Sequence, residues 1–410
     1  MSNTDWYGVV PSSWSISRIK NILIERNESN NPIKTDFILS LTNDRGVIPY
    51  SEKGAVGNNS KEDIKGYKLA YPGDLVLNSM NVVIGSVGIS NYFGCVSPVY
   101  YMLRPRNQND SIEFYNYLFQ TTELQNALKG YGNGILEIRM RIAMSKLNTF
   151  LLPKPDCSVQ NKIVRKIKES EVKIDQLINN QQQQIEKLKE YKQSLISEVV
   201  TKGLDPNVEF KDSGIKWIGR IPTKWRIVPL KHSHLITMGQ SPKSESYNTD
   251  QMGKPFLGGN SDISEGFSNP KYYTTEITKT CDKYDILMSV RAPVGTVAVS
   301  LHDAVLGRGL CSVKSNISNE YSFFYMTFLE NKWDEFISGT TFESVNADDI
   351  KNISFVLPSL KEIQEMVVFL RDKTMKIEKL IKLKNDKISL LNEYKKSLIY
   401  EYVTGKKEVS

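Results

Sequence analysis

The sequence predicts an α+β protein with an internal pseudo-twofold repeat. Two similar mixed domains, 1–157 and 204–358, are separated by two long helices, 158–203 and 359–410, that pair antiparallel as a coiled coil. Three observations predict this. Sliding the chain against itself brings two halves into register, each half closes on a long stretch with heptad spacing, and the part before that stretch shows short alternating runs broken by glycine turns.

The repeat opens with Trp6, Gly8, Pro11 and Trp14, which recur 211 positions later as Trp217, Gly219, Pro222 and Trp225. Two Trp, one Gly and one Pro in register are improbable by chance. Further on, GDLVLNSMNVVIGSVGIS from Gly73 aligns with YDILMSVRAPVGTVAVS from Tyr284 if one residue is inserted in the first copy; both read as two short strands around a turn. A loop follows in each half, Gly130 to Leu136 and Gly339 to Val345, then an apolar strand ending at Leu152-Pro153 or Leu357-Pro358. EYKQSLISEVVTKG from Glu190 then recurs as EYKKSLIYEYVTGK from Glu393, 203 positions on, so the globular parts differ in length while the helices stay matched.

From Ile163 the apolar positions step alternately by four and three through Ile174, Leu177, Gln181, Gln184, Leu188, Tyr191 and Leu195. The second copy runs through Val367, Leu370, Thr374, Ile377, Ile381, Lys384, Ile388, Leu391, Lys395, Leu398 and Tyr402, with no Gly or Pro inside either segment. A side row of Ile178 and Ile185, matched by Leu383 and Leu390, widens each stripe and leaves a third surface for a partner. A helix of this length extends about 67 Å at 1.5 Å per residue, beyond what one domain buries. In a chain ordered domain, helix, domain, helix, the second helix runs back along the first. Residues 191–203 then dock on Trp217 and Trp225, and 394–405 on Trp6 and Trp14. The polar run Gln181 to Gln184 and Lys384 fall mid-seam, where they either specify register or lie in a solvated middle.

With 410 residues, two or three domains are expected, and 40% hydrophobic and 24% charged residues are the proportions of a soluble globular chain. The net charge of +7 permits a polyanionic partner without requiring one. Cys95, Cys157, Cys281 and Cys311 are widely spaced, with no Cys-x-x-Cys pair, which fits a reducing compartment. MSNTDWYGVV lacks the basic flank and apolar core of a signal peptide, and no run reaches the ~18 apolar residues of a membrane span, so a cytoplasmic location and no membrane contact are expected.

Catalytic signatures are missing. There is no Asn/Asp-Pro-Pro-aromatic motif of an amino-methyltransferase, Asn31-Pro32-Ile33-Lys34 being the nearest string, and no phosphate-binding loop. No catalytic, cofactor-binding or metal residue is assigned. His232 and His234 alternate as two ligands on a strand would, but no third ligand is near, and a partly exposed structural pair is the expected reading. The run Phe323, Phe324, Tyr325 and Phe328 reads as one face of a core helix.

A DNA reader needs cations for phosphates and planar hydrogen-bonding groups for base edges. Both halves place such groups on loops. The first offers Arg45, beside Asn43 and Asp44, then Asn78 and Asn81, and then Asn133, Arg139 and Arg141, near Tyr131. The second offers Gln240, Lys243, Asn260, Arg291 and Arg308, of which Arg291 and Arg308 stand out. Any one of these can instead cap a turn or lie idle on the surface.

With these features in place, the chain resembles the specificity subunits of type I restriction-modification enzymes over nearly its whole length. The resemblance rests on W-x-G-x-x-P-x-x-W opening each half, LSLTNDRGVIP at 39–49, YPGDLVLNSMN at 71–81, GCVSPVY at 94–100 and E-Y-K-x-S-L-I-x-E-x-V-T closing each half. It implies a non-catalytic subunit with two target recognition domains that read an asymmetric bipartite site on double-stranded DNA, and helices that set the gap between half-sites. It also implies two methyltransferase subunits on the helices and restriction/translocase subunits beyond them, with S-adenosylmethionine, ATP and Mg on those partners. The helix-pair and partner interface is then Ile174, Leu177, Ile178, Ile185, Leu188 and Leu195 with Ile377, Ile381, Ile388, Leu391 and Leu398. The second half lacks the NDRGVIP and GCVSP strings, which places its recognition domain in another subgroup. An enzyme with an unrecognised site is disfavoured by the missing motifs, and a pure coiled-coil scaffold by the amount of chain outside the helices.

Overall fold

Each domain opens and closes on one two-stranded antiparallel ladder, and the two ladders share a register. Strand Ser15–Arg18 pairs with Leu151–Lys154, Ser15 opposite Lys154; strand Arg226–Pro229 pairs with Ser354–Leu357, Arg226 opposite Leu357. The opening strands are offset by 211 positions, as in the sequence, and the closing strands by 203, so Leu152-Pro153 matches Phe355-Val356 and not the Leu357-Pro358 read from the sequence. The computed structural model describes residues 6–54, 63–132, 141–330, 332–333 and 344–409. It divides into one unit of Met1–Gln181 with Asp386–Ser410 and another of Gln182–Asn385, so each unit takes one domain and part of both long helices.

In the first unit an antiparallel four-stranded sheet runs Leu23–Arg26, Tyr100–Pro105, Leu75–Asn78, Val87–Ile89. The second repeats this order with His234–Met238, Leu310–Ser315, Ile286–Ser289 and Val297–Val299, extends it by Phe267–Ser268 and Ile263–Ser264, and adds a five-stranded sheet around Lys254–Leu257. A core helix packs on each: Ile112–Gln120, capped by the Ser111 hydroxyl accepting from Phe114 N–H, and Asn319–Leu329, capped by Ser318 accepting from Tyr321 N–H. Phe324, Tyr325 and Phe328 of the latter are buried, as a core face requires.

The long helices span Cys157–Lys202 and Leu360–Val403. The second begins with a capping box, in which Ser359 Oγ accepts from Glu362 N–H at 3.3 Å while the Glu362 carboxylate accepts from Ser359 N–H at 3.0 Å. Both end at a left-handed glycine, Gly203 (φ +80) and Gly405 (φ +74). Each of these glycines lies against the second tryptophan of an opening motif. A Cβ on Gly203 would come within 3.0 Å of the Trp225 ring, and one on Gly405 within 3.2 Å of the Trp14 ring. Tyr400 also donates its hydroxyl to Trp6 C=O at 2.8 Å.

In the second unit Gln184 meets Lys384, and eight residues on Lys192 meets Glu378 at 2.6 Å, so the helices run antiparallel. In the first unit Lys395 bonds both Glu171 (3.4 Å) and Asp175 (3.0 Å). The second helix buries its face as the spacing predicts, through Leu370, Thr374, Ile377, Leu398 and Tyr402, with Ile381, Lys384, Ile388, Leu391 and Lys395 half-buried.

The first helix corrects the expected seam. Ile174, Gln181, Leu188 and Leu195 face inward as expected, but the alternate positions are Ile178 and Ile185, not Leu177 and Gln184. Leu177 is 46% exposed whereas Ile185 is 6%. Ile178 and Ile185 offer an apolar residue in two successive heptads where the other row offers Leu177 and then Gln184, so the phase that buries more carbon wins. Of the polar mid-seam residues, Gln181 is buried and Gln184 is exposed.

Candidate nucleic-acid interface

In the second unit four loops converge: 239–243 after the first sheet strand, 258–262 after Lys254–Leu257, 290–296 between Ile286–Ser289 and Val297–Val299, and 307–309 before Leu310. Backbone bonds fasten them together. Gly307 N–H donates to Leu257 C=O (2.8 Å), Gly309 N–H to Gly258 C=O (3.1 Å) and Val290 N–H to Gly309 C=O (3.0 Å), while Arg308 N–H donates to Ser241 Oγ (3.0 Å). Glycine permits this closeness, since a Cβ on Gly307 or Gly309 would strike Gly258 at 2.7 or 2.5 Å.

The loops enclose an open depression of about 280 Å³ lined by Ser241, Gly258, Gly259, Asn260, Arg291 and Arg308. Arg291 and Arg308 are exposed, and neither guanidinium has an ion pair or hydrogen bond among the described residues. Two adjacent uncompensated cations on a concave surface form a site for an acceptor-rich group. Asn260 donates from Nδ2 to Pro293 C=O at 2.9 Å, which sets the amide orientation and leaves its buried Oδ1 without a partner among the described residues. Of the sequence candidates, Asn260, Arg291 and Arg308 are thus brought together. Gln240 and Lys243 lie exposed on the adjoining loop, where Lys243 N–H donates to Glu276 at 2.9 Å.

The first unit has the matching turn without the matching charge. With the one-residue insertion, Met80 and Asn81, both half-buried and uncharged, together stand where the repeat places Arg291, Asn81 at the start of the turn Val82–Ile84. Ile142 N–H donates to Ser79 C=O at 2.9 Å, as Val345 N–H does to Val290 C=O at 2.9 Å, and brings the exposed Arg141 to this turn. Arg45, at the tip of the hairpin of Leu39–Thr42 and Gly46–Pro49, makes a loose 3.8 Å pair with Asp44. Asn133 and Arg139 lie outside the described residues.

Two expectations need correction. Asn78 is buried, with Oδ1 accepting from Met80 N–H at 3.0 Å, so it shapes the turn and does not face outward. Its counterpart Ser289 does the same work, donating to Pro293 C=O (2.7 Å) and accepting from Thr296 N–H (2.9 Å). The partly exposed pair expected of His232 and His234 is split into one exposed and one buried ring. His232 is exposed, while His234 is buried with Nδ1 at 2.8 Å from Ser233 Oγ and Nε2 at 2.7 Å from Ser322 Oγ. Burial pushes its pKa down to about 4, so the ring is neutral. Both nitrogens are engaged, and no cluster of three metal-ligating side chains occurs among the described residues. The residue that sequence reading passed over is Gly259; the Gly258-Gly259 doublet was its only signal.

A family model for the type I restriction modification DNA specificity domain matches this chain twice, over residues 11–187 and 222–393. The chain belongs to this family. Its specificity domains thus coincide with the two repeats, and its function is recognition of DNA sequence on behalf of a restriction-modification complex, a non-catalytic role. The chain is 30% identical to a putative type I restriction enzyme MjaX specificity subunit of Methanocaldococcus jannaschii, over 97% of this chain and 95% of that one. The MjaVIII specificity subunit of the same organism is 24% identical over 80% and 76%. Among solved structures, a chain from a study of complex assembly and conformational transition of the type I R-M system superposes with a TM-score of 0.74 at 18% identity, covering 97% of this chain and all of that one. The HsdS subunit from Thermoanaerobacter tengcongensis gives 0.55 at 18%, covering 99% and 100%. These likenesses support the fold of a specificity subunit. No described helix is long and apolar enough to cross a membrane.

Proposed function

We propose that this specificity subunit reads an asymmetric, split target on double-stranded DNA, one half-site through each loop cluster, and presents that target to two methyltransferase subunits and to restriction/translocase subunits. The observation that carries the reading is the pair of guanidiniums of Arg291 and Arg308 in the second unit, uncompensated among the described residues, against Asn81 at the matched turn of the first. A guanidinium donates two parallel hydrogen bonds to O6 and N7 of guanine, or binds phosphate oxygens, whereas an asparagine amide pairs with N6 and N7 of adenine. Unlike groups at matched positions read unlike half-sites. Arg45 and Arg141 supply cations to the first reader; Lys243 supplies one to the rim of the second, where the Gln240 amide lies, and the Asn260 amide lines its depression.

S-adenosylmethionine, ATP and Mg belong to the partner subunits in this reading, and the pure chain transfers no methyl group. The exposed side of the long helices receives the methyltransferases, while the paired helices act as a ruler between readers. A seven-residue insert at Gln181–Gln184, matched by one near Lys384, lengthens the ruler by about 10 Å, or about three base pairs of B-DNA.

The test is methylome sequencing of a host that carries this chain with its methyltransferase. Two different half-sites at a fixed gap are expected, with a longer gap for the insert variant. For Arg291→Ala the expected loss is about 1–3 kcal/mol of discrimination, confined to the second half-site. Uniformly weaker binding on all sequences makes Arg291 a phosphate contact, and methyl transfer by the pure chain overturns the reading.

A further inference from the structure

Most glycines of the second loop cluster have a reason inside the chain. Gly307 and Gly309 press on the Gly258 backbone, a Cβ on Gly258 would come within 3.3 Å of the Phe256 ring, and Gly295 combines φ +89 with close contact to the Trp333 ring. Gly259 has no such reason. Its φ of 178° is extended backbone open to any residue, and a Cβ built on it meets nothing within 4 Å. The loop's shape does not depend on the missing side chain. The buried Asp262 carboxylate holds it by accepting from the N–H groups of Gly258 (2.8 Å) and Gly259 (3.3 Å). Gly66 has similar freedom, but it is exposed on a turn, whereas Gly259 lines the depression with Arg291 and Arg308.

We propose that Gly259 is a positioning residue of the second DNA reader: the space its absent side chain leaves is filled by the acceptor-rich group that Arg291 and Arg308 bind. Backbone without a side chain allows the closest approach a chain can make to a ligand. A guanidinium reaches both acceptors of a guanine edge, or two oxygens of a phosphate, only if that group seats fully beside the arginines, and a methyl group added to the lining at Gly259 displaces it. The neighbouring Asn260 Oδ1, buried and without a partner among the described residues, independently marks the depression as incomplete without its ligand. This inference rests on the proposed reading of the depression as a DNA contact.

The experiment uses the chain assembled with its methyltransferase and a duplex carrying the site found by methylome sequencing. Gly259→Ala and Gly259→Val are compared with Arg291→Ala and Arg308→Ala. The expected result is melting of the free chain within a few degrees of the parent for both glycine variants, with affinity for the site falling about tenfold for Ala and further for Val. A duplex with 7-deazaguanine in the second half-site abolishes the difference between parent and Gly259→Ala if the seated group is a guanine edge; a methylphosphonate linkage does so if it is a phosphate. Unchanged affinity of both glycine variants, alongside weakened arginine variants, overturns the inference and leaves the DNA reading standing. Unchanged affinity of the arginine variants overturns the reading itself. Melting that falls as steeply as affinity makes Gly259 structural and also overturns the inference.

Discussion

The hairpin that follows the buried aspartate is built alike in both repeats, yet what surrounds it differs. Asp74 and Asp285 each accept from the N–H three residues earlier, Tyr71 at 3.0 Å and Asp282 at 2.9 Å, and each offers its carbonyl to a serine, Ser90 or Ser300, at 2.9 Å. Asp74 then takes a forked bond from Arg26, whose Nε lies 3.0 Å from Oδ2. At the matching place on the second sheet stands Thr237, and Asp285 has no forked arginine partner among the described residues, its carboxyl pushed up by burial. At the tip the difference reverses: Asn81 in the first repeat is neutral and Arg291 in the second is cationic. The backbone frame is thus held by main-chain and serine or aspartate bonds that tolerate either solution, which leaves the tip free to diverge. A scaffold whose turns are fixed from within can carry two different readers.

The sharpest way to break this comparison is to take the arginine from the first frame. Arg26→Ala leaves the almost wholly buried Asp74 carboxylate unpaired, and also removes a cation resting 4.4 Å from the Tyr71 ring. A loss of about 3 kcal/mol in urea unfolding of the first unit is expected. Thr237→Ala in the second frame has no carboxylate to strand, and is expected to cost under about 1 kcal/mol. Equal losses would mean that the aspartate turn is not stabilised differently in the two repeats.

The second contrast lies three residues earlier on the same strand. The first sheet strand starts with Leu23 in one repeat and His234 in the other, and the core helix behind it presents Tyr115 or Ser322. A buried imidazole between two hydroxyls costs nothing at neutral pH, where it is uncharged in folded and unfolded chain alike. With the folded pKa at about 4 against about 6.5 unfolded, acid protonates the unfolded chain first. Stability of the second unit is therefore complete above about pH 6.5, falls as the pH drops below that, and levels off below about 4, for a total loss of up to about 3 kcal/mol. The first unit has leucine at this position and no such step from it. Urea titrations from pH 7 to 4 on the parent and His234→Leu test this, and a step that persists in the variant assigns the acid sensitivity to other groups.

The repeat, the paired helices and the family were all legible in the sequence because they rest on spacing, which survives without coordinates. The register of the Ser15–Lys154 and Arg226–Leu357 ladders was legible only on the opening strands, offset by 211; the Leu-Pro pairs, 205 apart, do not occupy the same rung of the closing strands, which are offset by 203. The site was legible in part. Arg291, Arg308 and Asn260 are far apart in sequence, and only chain closure shows that they share one depression. Asn78 looked like a reader because its type suits adenine, but an asparagine amide serves a turn equally well, and burial decides between the two. Gly259 could not be singled out in a chain of 25 glycines. Its meaning lies in what does not surround it, which is a property of space.

The helices provide the smallest and most discriminating test, because two adjacent residues of the same stretch separate the two possible seams. Leu177 belongs to the stripe that steps 174, 177, 181, 184; Ile178 and Ile185 belong to the one that steps 174, 178, 181, 185. Both stripes have the same mean period, so periodicity alone is blind to the choice, and burial favours the second. Ile185→Ala removes about three methylene-sized groups from a closed position and is expected to cost about 2 kcal/mol. Leu177→Ala, at 46% exposure, is expected to cost under about 0.5 kcal/mol in the free chain. Thermal melts of the two variants decide the phase. If Leu177→Ala is the costlier, the helices meet through the other row, and Ile178 and Ile185 become the apolar face left over for a partner.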